Sequence, residues 1–304
     1  MTTTIRLATR KSRLALEQAN LVMDALKRIN QQLSIELVPI ETEGDIDRET
    51  PLTVLGGRGV FVKAVEQALL DDVADIAVHS LKDVPTEEVS GLIFPAITER
   101  ADPSDVLVAN NKYKLAELSA GCKIGTSSRR RAVLLSAIRP DLEVVDIRGN
   151  IDTRIQKVHD GVVDAVILAA SGIERLGMDD EISQRFDPQE FIPAPGQGAL
   201  AVQCRDNDED IKSIVQSIDH ANTRRATDAE RAFLSVLGVG CSFPVGAYAV
   251  VDNKTINLRA MVLTDDTKTM PDFGDAIGGI DEAIAIGSNL GRQLLSGPNE
   301  DGAK

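Results

Sequence analysis

Four short segments of this sequence put arginine and hydroxyl side chains where an apolar, strand-like run gives way to a helical pattern. "LATRKSRLALEQ" offers Arg10 and Ser12, and "KIGTSSRRRAVLLSAIRP" offers Thr126, Ser128, Arg130 and Arg131. "IRGNIDTR" offers Arg148 and Arg154, and "DAVILAASGIERLG" carries Arg175. A helix start leaves backbone N–H groups without internal acceptors and carries the positive end of the helix dipole, so it attracts anions. Asp or Glu in the first turn would serve such a helix, and arginine there works against it. Guanidinium groups bind carboxylates through two parallel hydrogen bonds. Any one of these arginines is equally consistent with a surface ion pair, and the serines with simple caps. Taken together, the four junctions point to a small ligand rich in carboxylates.

One carboxylate and one thiol stand out beside the arginines. "DIAVHSLKDVP" sets Ser80, Lys82 and Asp83 directly after a buried-strand pattern. Asp83 beside Lys82 reads either as an ionised carboxylate acting on a developing cation or as a turn former before Pro85. His79 reads as a structural residue at the strand end. Cys241 lies in "LGVGCSFPVGAY", a loop after helix-ending Gly238, where a nucleophile or an attachment point is one reading and an inert thiol the other. Cys122 and Cys204 fall in strand patterns and read as small buried hydrophobes. Widely spaced cysteines and scattered histidines (His79, His159, His220) exclude a disulfide framework and a structural zinc site.

These residues need a scaffold, and composition describes one. The 304 residues are 43% hydrophobic, carry no Trp, and have a net charge of −14 with 21 Arg against 12 Lys. An acidic surface excludes nucleic acid as a partner, while a basic site within it focuses a field on a small anion. No apolar run is long enough to span a bilayer, and the polar N-terminus is not a signal peptide, so no membrane is expected and the location is cytoplasmic.

Strand and helix patterns alternate through the first half. A strand at 4–9 leads to a helix at 12–29, with Leu14, Leu21, Val22, Ala25, Leu26 and Ile29 at helical spacing. A strand at 33–40, a helix at 60–71 and a strand at 75–78 follow, and after "ERADPSD" a second such series begins. The expected fold class is α/β, with a largely parallel sheet in each of two lobes. Irregular segments at 99–103 and 193–198 read as paired crossings, so the second lobe is inserted in the first. Residues 1–98 and 199–217 form lobe 1, residues 104–193 lobe 2, and residues 221–300 a small α+β C-terminal domain with two alternating strands.

"RLATRKSRLAL", "GGRGVFVK", "ADIAVHSLKDVP", "GTSSRRR", "RGNIDTR", "ILAASGIERLG", "PAPGQGALA" and "GCSFPVGAY" together closely resemble the porphobilinogen deaminase family, in its order and spacing. The resemblance implies two lobes like those of periplasmic binding proteins, plus the third domain. It implies a transferase that condenses four porphobilinogen molecules head to tail, releasing ammonia and hydroxymethylbilane for tetrapyrrole and haem biosynthesis. It implies a covalent dipyrromethane cofactor joined by a thioether to Cys241, with Asp83 as the catalytic carboxylate. Lys82, Thr126, Ser128, Arg130, Arg131 and Arg154 match positions that hold the cofactor. Arg10, Ser12, Arg148, Arg154 and Arg175 match positions that hold substrate, and a monomer is expected. The sequence departs from the family's usual pattern at Arg58, Arg129 and Val239. The alternative is a two-lobed, non-catalytic binding protein for a carboxylate-rich small molecule, which would need neither Asp83 nor Cys241.

Overall fold

The computed structural model describes residues 4–42, 59–238, 244–263 and 270–296. The chain opens with β1 (Thr4–Arg10), β2 (Ser34–Ile40), β3 (Ile76–Ser80) and β4 (Leu92–Ile97). A second series follows: β5 (Asp105–Ala109), β6 (Lys123–Gly125), β7 (Glu143–Val145), β8 (Ala165–Ala169) and β9 (Gln184–Arg185). The last strands are β10 (Leu200–Arg205), β11 (Val245–Asp252), β12 (Thr255–Val262) and β13 (Asp272–Gly279). They form three sheets, ordered β2-β1-β3-β10-β4, β7-β6-β8-β5-β9 and β11-β12-β13. Because β10 returns to the first sheet after the second has been built, the second lobe is an insertion in the first.

The largely parallel sheets expected from the sequence are only half parallel. β1 runs parallel to β2 and β3, and β6 parallel to β7 and β8. β10 is antiparallel to β3 and β4, and β5 to β8 and β9. The cause is where the chain arrives in each lobe. Leu200 at the start of β10 lies opposite Ser80 at the end of β3, and Asp105 at the start of β5 lies opposite Ala169 at the end of β8. A strand that begins at the carboxyl edge of a sheet can only run backwards.

Packing divides the chain into two compact units: Met1–Ala101 with Arg175–Gly177 and Gly198–Arg224, and Asp102–Glu174 with Met178–Gln197 and Arg225–Lys304. In the first, Ile5, Leu7, Ile76 and Val202 meet Ala19, Val22 and Leu26 of the helix Arg13–Ile29. The apolar face of that helix is narrower than its sequence suggested, since Leu21 is 45% and Ile29 57% exposed. In the second unit, branched aliphatics around Leu107, Ile124, Leu135 and Ile167 fill the lobe, and Phe191, Ile192 and Met261 of β12 join them. Phe233, Ile256, Leu258 and Leu290 form the core beneath the C-terminal sheet. Among the described residues that sheet has three strands where the sequence suggested two. Among the described residues no helix is long and apolar enough to cross a membrane.

Candidate active site

In the first unit the functional candidates gather at the carboxyl edge of one sheet. Arg10 ends β1, and Ser12 caps the helix Arg13–Ile29, its Oγ accepting from the Ala15 N–H at 3.3 Å. The first turn of that helix contains no acidic residue. Neighbouring β3 ends at Ser80 and passes into a tight turn, Leu81–Asp83. Leu81 and Val84 are buried, which leaves Lys82 and Asp83 half-buried between two anchored neighbours. Gln18 Nε2 donates to Ser80 Oγ at 2.8 Å and ties the helix to this strand end. β1 and β3 are parallel neighbours, so Arg10, Ser12, Lys82 and Asp83 share one edge. Arg175 also groups with this unit, donating to the Gly198 carbonyl at 2.7 Å.

The second unit repeats the arrangement, with a difference. β6 ends at Gly125, and Thr126 is buried, its Oγ1 accepting from the Ser128 N–H at 3.2 Å. Ser128 caps the helix Arg129–Ile138, accepting from the Arg131 N–H at 3.4 Å. Arg130 and Arg131 turn inward onto Asp105, which is fully buried. Arg130 Nη2 reaches Asp105 Oδ2 at 2.7 Å, and Arg131 reaches Oδ1 through Nη2 at 2.7 Å and Nε at 3.1 Å. Arg130 Nη1 donates to the Ile192 carbonyl at 2.6 Å and Arg131 Nη1 to the Ile167 carbonyl at 2.9 Å. Burial pushes the Asp105 carboxyl up, but the charges of Arg130 and Arg131, their hydrogen bonds and Gln197 together hold it well below the usual carboxylate range. Two of the arginines expected to hold a ligand therefore serve the scaffold as well.

Arg148 and Arg154 stand in a different field. Arg154 Nε donates to the Gly149 carbonyl at 2.8 Å, and among the described residues neither Nη atom of Arg154 has a hydrogen-bond partner. Burial, followed by the charge of Arg131, lowers Arg154 to about 10; Arg148 pushes the same way, and Asp146 opposes them. Gly149 makes the turn feasible, with φ +114° and Thr153 only 2.8 Å from where a Cβ would stand. The Arg154 fork is half-buried and crowded by like charges. It gains from every carboxylate brought to it.

Three residues central to this geometry went unassigned in the sequence, although Gln197 lies within "PAPGQGALA". Asp105 is a carboxylate beginning a strand whose remaining residues are all buried apolar ones, and that mismatch was the available signal. Gln197 Nε2 donates to Asp105 Oδ1 at 2.9 Å and to the Pro103 carbonyl at 2.7 Å. Glu230, fully buried, accepts from the Gly196 N–H at 2.7 Å and the Ala249 N–H at 2.8 Å, joining the C-terminal sheet to the segment that carries Gln197. Cys241, Val239 and Arg58 lie outside the described residues. Cys204 is buried, and burial pushes its thiol up to about 11, while Cys122 is half-buried.

Two family models match the chain. That of "porphobilinogen deaminase, dipyromethane cofactor binding domain" covers residues 5–213, and that of "porphobilinogen deaminase, C-terminal domain" covers residues 225–296. Among solved structures, the chain is similar to the methionine binding protein MetQ, at 12% identity and a TM-score of 0.46, over 71% of this chain and 89% of that one. It is also similar to the probable amino-acid transporter extracellular-binding protein ytmK from Bacillus subtilis, at 12% identity and a TM-score of 0.43, over 72% and 90% of the two chains. A third is immunogenic lipoprotein A from Vibrio vulnificus, at 10% identity and a TM-score of 0.43, over 72% and 96%.

Proposed function

The chain belongs to the porphobilinogen deaminase family, and from that membership we infer how its residues divide the work of a hydroxymethylbilane-synthesising transferase. The match to both family domains carries this reading. The residues present fit a dipyrromethane, which bears several carboxylates: the mutual repulsion of Arg131, Arg148 and Arg154 is relieved by anions, and the Arg154 fork is open to them. Arg154, Thr126, Ser128 and Lys82 would hold the cofactor's carboxylates, while Arg130 and Arg131, bonded to Asp105, would add positive potential. Cys241 is its attachment point through a thioether. When bound, the cofactor supplies the pyrrole carbon onto which the first substrate is added.

Arg10, Ser12, Arg148 and Arg175 bind the acetate and propionate groups of porphobilinogen, with Arg154 shared between cofactor and substrate. Each charged hydrogen bond contributes about 1.5–3 kcal/mol. Asp83 stabilises the cation, its charge shared between the substrate's methylene carbon and pyrrole nitrogen, that forms as the C–N bond breaks and ammonia leaves. It also accepts the proton lost once the new carbon–carbon bond has formed. Its place in a turn pinned by buried Leu81 and Val84 supports this role, since a fixed carboxylate does not need to reorganise as charge appears. We place the enzyme in the cytoplasm as a monomer.

Intact mass of the purified protein, before and after porphobilinogen is added, tests the reading. A mass increment of a dipyrromethane that vanishes in Cys241→Ser, with substrate-dependent further increments in the wild type, is the expected result. A chain at its bare sequence mass that still makes hydroxymethylbilane would refute the covalent assignment.

A further inference from the structure

The end of β3 rests on a buried polar chain that the reaction, as derived above, leaves unused. His79 is buried, with its Nε2 3.0 Å from Gln203 Oε1, and Gln203 Nε2 donates to Glu66 Oε1 at 3.1 Å. The amide settles the tautomer: its NH2 group goes to the carboxylate, so its oxygen faces the ring and His79 Nε2 carries the proton. Glu66 comes from the helix Gly59–Leu70, Gln203 from β10, and Phe94 of β4 meets the ring edge-on at 6.1 Å. Gln203 thus stands between a carboxylate and an imidazole. Direct contact with Glu66 would draw the ring into its charged form, and a neutral amide does not.

We propose that the Glu66–Gln203–His79 chain keeps a neutral imidazole behind Asp83, which makes His79 and Gln203 positioning residues for the reaction. They fix the strand end that carries Lys82 and Asp83, and they keep an imidazolium from competing with substrate for the Asp83 carboxylate. Burial lowers His79 to about 4, against the opposing pull of the Gln203 hydrogen bond and the Asp83 charge. Among the described residues, the charged groups facing the ring are Glu66, reached through Gln203, and Asp83 from the turn; β4 and β10 present the neutral Phe94 and Gln203. This inference rests on the catalytic reading of Asp83.

The test exchanges the two outer groups, Glu66→Gln with Gln203→Glu, in the full-length, cofactor-bearing enzyme. Composition, net charge and the number of hydrogen-bonding groups are conserved, and only the carboxylate moves next to the ring. The expected result is a charged imidazole at pH 7 by nitrogen NMR, a kcat for porphobilinogen lower by about tenfold or more, and KM within about threefold. A purely structural chain would tolerate the exchange with kcat unchanged, and that outcome overturns the proposal. Should the exchanged protein fail to fold, titration of the His79 ring in the wild type decides: a neutral ring down to about pH 5 upholds the proposal, and protonation near the ordinary value of about 6.5 overturns it. Asp83→Asn is measured in parallel. Normal turnover in that variant would remove the catalytic reading of Asp83 itself, a result distinct from failure of the exchange.

Discussion

The two arginine pairs of the second lobe occupy equivalent places and meet opposite electrostatic conditions. Arg130 and Arg131 lie in the first turn of the helix after β6, and Arg148 and Arg154 flank the start of the helix after β7. The first pair is 5% and 7% exposed and shares a buried counter-ion, Asp105. Among the described residues Arg154 has no such counter-ion, and it is burdened by its neighbours' charge. Location at a strand end therefore does not make an arginine a ligand contact. What decides is whether the fold has already supplied its anion. Since one Asp105 balances two guanidiniums, the first pair also leaves one net positive charge to raise the potential at Arg154.

Removing the counter-ion should have the largest effect. Asp105→Asn strands two buried guanidiniums, and breaking a buried pair from one side costs about 3–5 kcal/mol. The urea midpoint should fall accordingly with the m-value unchanged. The pH dependence has a fixed sign. The folded-state pKa of Asp105 is depressed, so its stabilisation is complete above the unfolded carboxylate value of about 3.9 and is lost as pH falls from there towards the folded-state value. Asp105→Asn should flatten this acid limb of the stability curve. A loss below about 1 kcal/mol would mean that the two arginines are not tied to the scaffold.

Arg154→Leu should separate binding from folding. Loss of its charged hydrogen bonds is expected to reduce cofactor retention or turnover by about 10- to 100-fold. Stability should change by less than about 1 kcal/mol, because the substitution also removes repulsion from Arg131 and Arg148. Arg131→Leu should impair both properties, since it carries the bonds to Asp105 and Ile167. Intact mass gives the cofactor-loaded fraction and urea titration gives stability. Equal stability losses in the two variants would erase the distinction between the pairs.

Local pattern revealed much of this architecture. The helix Arg13–Ile29, the buried runs of β3, β5 and β8, and the strand-to-helix junctions all follow from periodicity and caps. Strand direction in β5 and β10 did not, because direction depends on where the chain enters a sheet. β13 escaped notice because "DFGDAIGG" is rich in glycine, a poor strand former. Those glycines serve packing: a Cβ at Gly274 would stand 2.8 Å from Leu290, and one at Gly278 2.7 Å from Ile286. The junction arginines were legible as a set, but the sorting among them rests on Asp105, some 25 residues away from Arg130 in sequence. Long-range ion pairs leave no periodic trace.

The smallest effect concerns the serine caps, and it compares the lobes instead of the arginine pairs. Ser12 and Ser128 cap their helices through long hydrogen bonds of 3.3 and 3.4 Å, and neither first turn contains an acid. Replacement by Ala should cost about 0.5–1 kcal/mol at either site, the low end for a cap. Replacement by Asp should instead be neutral or stabilising by about 0.3–1 kcal/mol, because a carboxylate caps as well and complements the helix dipole. The same carboxylate would repel an anion bound at that helix start. Ser12→Asp and Ser128→Asp are therefore expected to keep or raise stability while lowering activity, with Ser12 acting on KM for porphobilinogen and Ser128 on the cofactor-loaded fraction. Stability, KM and loaded fraction are all measurable on one preparation of each variant. A serine whose change to Asp improves stability and leaves binding intact sits at an ordinary capped helix, and its lobe would then lose that junction from the anion site.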